Sequence, residues 1–150
     1  KDYTTFVEII AQLKKRQPNI QVVLIGDGVE RLNLEALAQQ LGVAGNITFT
    51  GYLDRAEVLN YMHRSKVFLH TSTYESFGYV FLEALASGMR VVSRPVGIAQ
   101  AGPRWKVVEK TALANATEET LRTVPPEDIA IPYTIKKCLK HYLRIWQSND

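Results

Sequence analysis

The sequence contains few cysteines, few histidines and no long apolar run. Its single cysteine, Cys138, excludes a disulfide framework and a cysteine-based zinc site, and it fits a reducing compartment. The three histidines, His63, His70 and His141, are scattered without the spacing of metal ligands. The apolar stretches span only a few residues, whereas a membrane-spanning helix needs about 18 or more. Disulfide scaffolds, cysteine zinc sites and transmembrane helices are therefore excluded as explanations of this chain.

An excess of charge of one sign is also nearly absent. The chain has 18 Lys and Arg against 15 Asp and Glu, which gives a formal charge of +3. The basic residues cluster at residues 14–16 and 136–144, on the polar faces of predicted helices. No aromatic residues alternate with them and no base-reading motif accompanies them, so we expect no nucleic-acid binding. Peripheral contact with a membrane surface is compatible with this mild basic excess.

What is present is the composition of one globular domain. The 150 residues are 46% hydrophobic and 22% charged, and a chain of this length buries roughly 70% of its unfolded surface without disulfides or metals. We therefore expect a single domain over residues 1–150. The chain opens on Lys1 without an initiator Met or a leader, so we expect that any upstream sequence was removed or left out.

The hydrophobic pattern alternates between the helical period and the strand period. It predicts helices over residues 3–17, 32–41, 55–64 and 77–87, and strands over residues 20–25, 46–50, 66–70 and 90–93. Short connections between them favour an α/β fold with a Rossmann-like, doubly wound, mostly parallel sheet. Because the alternation opens with a helix, we also expect that a first strand preceding Lys1 is missing.

The pattern weakens in the last third of the chain. We expect a last short strand at residues 107–108, and a capping box made by Asn115 and Glu118 that opens a helix through Leu121. An apolar stripe predicts a final helix over about residues 128–150 that packs back on the domain.

The loop after the first predicted strand has a partial nucleotide-binding motif. Gly26-Asp27-Gly28 begins like a dinucleotide fingerprint, but Arg31 stands where the third Gly would be, and the Lys-Ser/Thr of a P-loop is lacking. A tight strand-to-helix turn explains the same residues equally well.

The helix predicted over residues 77–87 is apolar on every side except at Glu83. A helix without a polar face is expected to be buried, and a buried carboxylate needs hydrogen-bond donors. Ligand hydroxyls are one possible set of donors. A structural Lys, Arg or backbone N–H is the other.

The loop before that helix, residues 71–78, is rich in hydroxyl side chains and ends in Gly78. Free N–H groups and the positive dipole end at a helix N-terminus favour a phosphate. Glu75 lies in this loop, eight positions before Glu83. The two carboxylates are thus placed to face different parts of one elongated ligand.

Residues 75–88, Glu-Ser-Phe-Gly-Tyr-Val-Phe-Leu-Glu-Ala-Leu-Ala-Ser-Gly, resemble the paired-Glu signature of the retaining GT-B glycosyltransferases called group 1 or family 4. In that signature two Glu are separated by seven residues, as they are here. Residues 23–30, 47–53 and 90–97 agree with the flanking motifs in order and spacing. The resemblance covers roughly residues 1–97.

The resemblance implies a chain similar to the C-terminal of two Rossmann-like domains, the one that binds the sugar-nucleotide donor. It implies that Glu75 is the carboxylate nearest the reacting centre and contacts the transferred sugar, and that Glu83 holds the ribose hydroxyls. Lys1 would neutralise the departing diphosphate. The remaining implied contacts are backbone atoms of Ser76, Phe77 and Gly78 for the sugar, Tyr79 and Val80 N–H near the diphosphate, Tyr52 and Leu53 near the base, and Gly26 and Gly28 in the neighbouring wall.

The chain departs from the family pattern at several positions. Asp2 stands where the family usually has Gly after the Lys, and the usual Arg would lie upstream of Lys1. The family commonly has a Gly-Gly-Ile-Pro-Glu-like loop, whereas this chain has Gly97-Ile98-Ala99-Gln100, without that carboxylate. We expect the family's N-terminal acceptor domain to be absent from this chain.

The resemblance implies the donor-binding domain of a retaining glycosyltransferase that transfers a hexose-like sugar from UDP, GDP or ADP to a glycan or lipid-linked acceptor. The resemblance implies that the enzyme needs no metal and no cofactor. It also implies that the enzyme works in the cytoplasm or at the inner face of a membrane. We expect these 150 residues alone to be inactive. A non-catalytic nucleotide- or sugar-phosphate-binding module is the alternative. The predicted strand ends lack the acidic phosphorylation pocket that a receiver domain needs.

His70 ends a predicted strand near this site. We expect it to be a hydrogen-bonded structural residue rather than a catalytic one.

Overall fold

The computed structural model of the chain describes residues 1–124. The helix expected over residues 128–150 and Cys138 lie outside the described residues. In chain order the elements are α1 (Tyr3–Lys14), β1 (Val22–Ile25), α2 (Arg31–Gln40), β2 (Ile47–Gly51), α3 (Arg55–Arg64), β3 (Val67–His70), α4 (Tyr79–Ala86), β4 (Arg90–Ser93), β5 (Trp105–Val107) and α5 (Leu113–Arg122), with short 3₁₀ turns at Ala44–Asn46 and Lys110–Ala112.

All the strands pair in parallel, which confirms the expected α/β class. Val22 of β1 lies opposite Ile47 of β2, and Val67 of β3 lies opposite Arg90 of β4. Strand β5 pairs with the other edge of β4. Within residues 1–124 the hydrogen bonds form two sheets, β1–β2 and β3–β4–β5, rather than one continuous sheet. Strands β1 and β3 therefore each have one hydrogen-bonded neighbour in this part of the chain.

Local signals explain most of the helix boundaries. Helix α1 ends at Lys14, a few residues before Pro18, which disfavours helix in the residue that precedes it. Asp54 caps α3 through a complete capping box with Glu57.

The starts of α4 and α5 differ from the sequence prediction. Helix α4 begins at Tyr79 rather than at residue 77, because Gly78 takes a left-handed conformation with φ +93° and acts as the N-cap. The capping box at Asn115 is wrong: α5 begins at Leu113 and continues directly from the 3₁₀ turn Lys110–Ala112, so Asn115 lies inside the helix.

Two hydrophobic clusters hold the layers together. The first joins three helices to both sheets, with Val7, Ile9, Ile10, Leu13, Leu34, Ala38, Val43, Ile47, Val92, Leu113 and Ala116 as its buried members. The second lies under α4, with Met62, Phe81, Ala84, Leu85, Met89, Val91 and Trp105. Residues of β1 and β3 both pack against the first cluster, so the two sheets share one core. In the part of the chain described, no helix has the length and apolar character that crossing a membrane requires.

Candidate functional site

The loops that follow β1, β2, β3 and β4 carry the candidate site, since ligands of open α/β sheets bind at the carboxyl ends of the strands. Between the first two loops, the backbone N–H of Gly26 donates to the carbonyl of Gly51 at 2.9 Å. This bond keeps the ends of β1 and β2 together.

The loop of residues 71–78 is fixed at both ends by hydrogen bonds to other parts of the chain. The Thr71 hydroxyl donates to the carbonyl oxygen of Asp2 at 2.9 Å. At the other end, the N–H of Ile98 donates to the carbonyl of Phe77 at 2.9 Å. Gly97 makes this second contact possible, because a Cβ there would lie 2.3 Å from the Phe77 oxygen and its φ is +56°. The loop is thus held between the start of α1 and the loop that follows β4.

Glu75 is the central side chain of this loop. Its Oε1 accepts a hydrogen bond from the ammonium of Lys1 and lies 3.1 Å from Nε2 of His70. The Glu75 side chain is 14% exposed, whereas that of Lys1 is 53% exposed. The structure therefore brings together the predicted sugar-contacting carboxylate and the predicted phosphate-neutralising cation.

The environment keeps Glu75 ionised. Burial by itself would raise its pKa, but the hydrogen bonds from Lys1 and His70 outweigh burial and lower the pKa below its usual value. Burial lowers the pKa of His70, against the opposing effect of Glu75. A neutral imidazole and a charged carboxylate are the expected pair near pH 7.

The N-terminus of α4 opens directly after this loop. Gly78 has no side chain with which to cap the helix, so the first N–H groups, those of Tyr79 and Val80, have no intrahelical acceptor. A Cβ at position 78 would lie 2.6 Å from ring carbons of Phe81. Both this packing and the positive φ require glycine here. The arrangement provides N–H donors and a positive dipole end for an anion.

Glu83 differs from its expected surroundings. The prediction of a wholly buried α4 is wrong, because Tyr79 is 67% exposed and the Glu83 side chain is 32% exposed. Nη1 of Arg55, the first residue of α3, donates to Oε1 of Glu83 at 2.9 Å. Of the two sets of donors considered for this carboxylate, a structural Arg is the one observed. Because the pair is partly exposed, the carboxylate stays accessible to a ligand.

The other predicted contacts are more dispersed. The rings of Phe77 and Tyr79 pack at a tilt of 35°, with their centroids 4.5 Å apart, and Ser76 is exposed. Tyr52 is 87% exposed in the loop after β2, and Leu53 is partly buried. Gly26 and Gly28 shape the loop after β1, where Asp27 accepts a hydrogen bond from the N–H of Gly28 at 2.8 Å. Within residues 1–124 no side-chain hydrogen bond joins these outer residues to the carboxylate of Glu75 or Glu83.

Sequence reasoning missed several residues of the site. The Arg55–Glu83 pair joins positions far apart in the chain, and no local pattern marks it. Asp2 adopts the left-handed conformation with φ +57°, which glycine prefers but Asp tolerates. Its carboxylate caps α1 through Thr5. The family pattern usually has Gly at position 2, and that Gly indicates the left-handed backbone conformation found here.

The Asp2 carboxylate also lies 3.6 Å from both Arg94 and Lys110. Burial works against ionisation of Asp2, but bonds from Thr5 and the charge of Lys110 lower its pKa overall.

A separate cavity of about 230 Å³ lies between α1 and α5. The side chains of Arg16 and Glu118, which form an ion pair there, line it together with Asn115. Within the described residues no group of three or more His, Cys, Asp or Glu is placed to hold a metal ion.

Comparison with known proteins identifies the family. The model of the family "Glycosyl transferases group 1" matches residues 1–101. The chain is 37% identical over 105 residues to the lipopolysaccharide core biosynthesis glycosyltransferase LpsE of Rhizobium meliloti, a match that covers 70% of this chain and 28% of LpsE. It is 32% identical over 94 residues to alpha-monoglucosyldiacylglycerol synthase of Acholeplasma laidlawii, covering 63% of this chain and 24% of that protein. The chain thus spans less than half the length of the curated relatives it matches.

Solved structures show the same fold. WaaG, a glycosyltransferase involved in lipopolysaccharide biosynthesis, superposes with a TM-score of 0.71 at 27% identity, over 82% of this chain and 35% of WaaG. The C-terminal domain of a group 1 glycosyl transferase from Francisella tularensis superposes with a TM-score of 0.74 at 24% identity, over 82% of this chain and 70% of that domain. The chain belongs to the group 1 glycosyl transferase family and has the α/β fold of the C-terminal domain of these GT-B enzymes.

Proposed function

We propose that this chain is the sugar-nucleotide-binding domain of a retaining glycosyltransferase that moves a hexose-like sugar to a glycan or lipid-linked acceptor. The observation that carries the proposal is the position of Glu75. This ionised carboxylate is paired with Lys1 and lies in the loop that leads into the open N-terminus of α4. The names of relatives, which include lipopolysaccharide and glucosyldiacylglycerol synthesis, support an acceptor that is a glycan or a lipid.

In this proposal the donor lies along the carboxyl ends of the strands. Glu83 accepts hydrogen bonds from the ribose hydroxyls, and the N–H groups of Tyr79 and Val80 contact the diphosphate. Glu75 contacts the transferred sugar next to backbone atoms of Ser76, Phe77 and Gly78. Tyr52 and Leu53 lie near the base, and Gly26 and Gly28 complete the wall.

Lys1 stabilises the leaving group. As the bond between the sugar and the diphosphate breaks, negative charge grows on the phosphate oxygens, and an ammonium group and a helix N-terminus stabilise it electrostatically. The exposed Lys1 side chain is able to move from Glu75 to the diphosphate. With charge stabilisation supplied in this way, we propose that transfer needs neither a metal ion nor another cofactor.

The acceptor is held by another domain in this proposal. These 150 residues are therefore expected to bind the donor without turning it over. A lipid-linked acceptor would place the complete enzyme at the inner face of a membrane, in peripheral contact with it.

Calorimetric titration of the chain with UDP, GDP and ADP tests the proposal. We expect one nucleotide to bind, and Glu83→Ala to weaken it by about 1.5–3 kcal/mol, the loss expected for hydrogen bonds to a charged group. Glu8→Ala is the matched control, since it removes a carboxylate from the exposed face of α1. Absence of binding by the folded chain, or equal losses in both variants, would contradict the proposed donor site.

Glu75→Ala in the complete protein distinguishes the proposed transferase from the alternative, a non-catalytic binding module. If the domain serves a transferase, this substitution abolishes sugar transfer while nucleotide binding persists. A module without catalysis shows no transfer to lose.

A further inference from the structure

His70 is the buried partner of the carboxylate that the proposed function places at the transferred sugar. It is the last residue of β3 and is 7% exposed. Its ring meets that of Phe81 edge-on, with centroids 4.6 Å apart and planes at 69°. The centroid of the Phe68 ring lies 5.9 Å from that of the imidazole. Phe81 itself is completely buried. The imidazole is therefore held by the core and cannot swing away from Glu75 without disturbing it.

The hydrogen bond fixes the protonation of the ring. Nε2 lies 3.1 Å from Oε1 of Glu75, and an ionised carboxylate only accepts hydrogen bonds. Nε2 must therefore carry the proton, which leaves Nδ1 as an acceptor in the neutral ring. Nδ1 is buried and has no partner in the described part of the chain, so a proton on Nδ1 would find no acceptor there. The charged groups acting on this ring are Glu75 and the ammonium groups of Lys1.

Both donors to Glu75 use the same oxygen. Lys1 and His70 each contact Oε1, and within residues 1–124 Oε2 has no protein partner. This arrangement leaves one carboxylate oxygen for a ligand. The two donors differ in mobility, because the Lys1 side chain is 53% exposed and that of His70 is 8% exposed.

This difference in mobility decides which of the two hydrogen-bond donors stays on Glu75 when the sugar nucleotide binds. If Lys1 moves to the diphosphate, Glu75 loses one of its two partners. His70 then remains as the fixed donor that orients the carboxylate.

We propose that His70 is the positioning residue of Glu75: its Nε2–H holds Oε1 and thereby presents Oε2 to the transferred sugar. This inference rests on the proposed function, which assigns Glu75 to that sugar.

Two amide substitutions test it as a matched pair. In His70→Gln the side-chain nitrogen reaches the position of Nε2, whereas in His70→Asn it reaches only the position of Nδ1. The first measurement is an NMR titration of the Glu75 carboxyl carbon in this chain. We expect the pKa of Glu75 to be higher in His70→Asn than in the wild type, since a donor to the charged form is lost, and to return toward the wild-type value in His70→Gln.

The second measurement is the rate of sugar transfer by the complete protein that contains these residues. We expect His70→Asn to lower kcat about tenfold or more with the donor KM nearly unchanged, and His70→Gln to restore most of the loss. An unchanged Glu75 pKa in His70→Asn, or a transfer rate equal to the wild type, would overturn the proposal. If the wild-type protein transfers no sugar, the proposed function fails, and the carboxyl titration still decides whether His70 positions Glu75.

Discussion

Nη1 of Arg55 lies 2.9 Å from Oε1 of Glu83, so the carboxylate assigned to the ribose already has a cationic partner in the free protein. The Arg55 side chain is 75% exposed. Exposed ion pairs contribute little to folding, about 0–1 kcal/mol. This cation is therefore better placed to affect an anionic ligand than to stabilise the fold.

Arg55→Ala should separate these two effects. We expect the free energy of unfolding, measured by urea denaturation, to change by less than about 1 kcal/mol. Nucleotide affinity should fall severalfold, and the loss should shrink as salt is raised, since exposed charges are screened. Arg64→Ala, on the exposed face at the other end of α3, is the control. An equal loss of affinity in both variants would contradict a local role for Arg55.

Gly97→Ala should disturb the loop that carries Glu75. A Cβ would lie 2.3 Å from the carbonyl oxygen of Phe77, at a φ of +56° that L side chains rarely adopt. We expect a loss of about 1–3 kcal/mol in the free energy of unfolding and weaker nucleotide binding. Gly45→Ala is the control, because nothing lies within 4 Å of a Cβ there. Wild-type stability of Gly97→Ala would show that this close approach is wrong.

His70 should make stability depend on pH in a defined window. Burial lowers its pKa in the folded state, so the unfolded chain takes up this proton more readily. The contribution of neutral His70 to the free energy of unfolding is complete above the ordinary histidine pKa of about 6.5. It is lost as the pH falls through that value toward the lower pKa of His70 in the folded state. We expect the urea midpoint to fall between about pH 7 and 5, and to fall less in His70→Gln. In His63→Gln, on the exposed face of α3, the urea midpoint should depend on pH as in the wild type. If that variant flattens the pH dependence instead, the assignment of the effect to His70 is refuted.

Chelation of divalent ions should leave sugar transfer by the complete protein unchanged. In our account Lys1 and the N-terminus of α4 supply the charge stabilisation that a metal ion provides in other transferases. The rate is to be measured with excess EDTA and with added Mn²⁺ or Mg²⁺. A strict requirement for either ion would contradict the account.

Much of the fold was predictable because its signals are local. The apolar periods locate all the helices and strands through β4 to within a few residues. The box at Asn115 failed because the preceding 3₁₀ turn runs into α5 and supplies its start. The division into two sheets depends on which strands become neighbours, which a pattern within single segments does not contain.

The site was predictable in its parts rather than in its contacts. The loop chemistry and the paired Glu singled out Glu75 and Glu83 as candidate site residues. The partners of these carboxylates could not be read from the sequence, because Lys1 and Glu75 lie 74 positions apart and Arg55 and Glu83 lie 28 apart. His70 was expected to be a hydrogen-bonded structural residue. The structure confirms its hydrogen bond and identifies its acceptor as Glu75.

Amide chemical-shift mapping of the isotope-labelled chain, as the nucleoside diphosphate that binds is added, locates the donor site directly. We expect the largest shifts at residues 75–80, with smaller ones at Tyr52. The cavity between α1 and α5, lined by Arg16 and Asn115, should remain unaffected. Shifts centred on that cavity, with residues 75–80 unchanged, would contradict the claim that the β3–α4 loop and the start of α4 bind the donor.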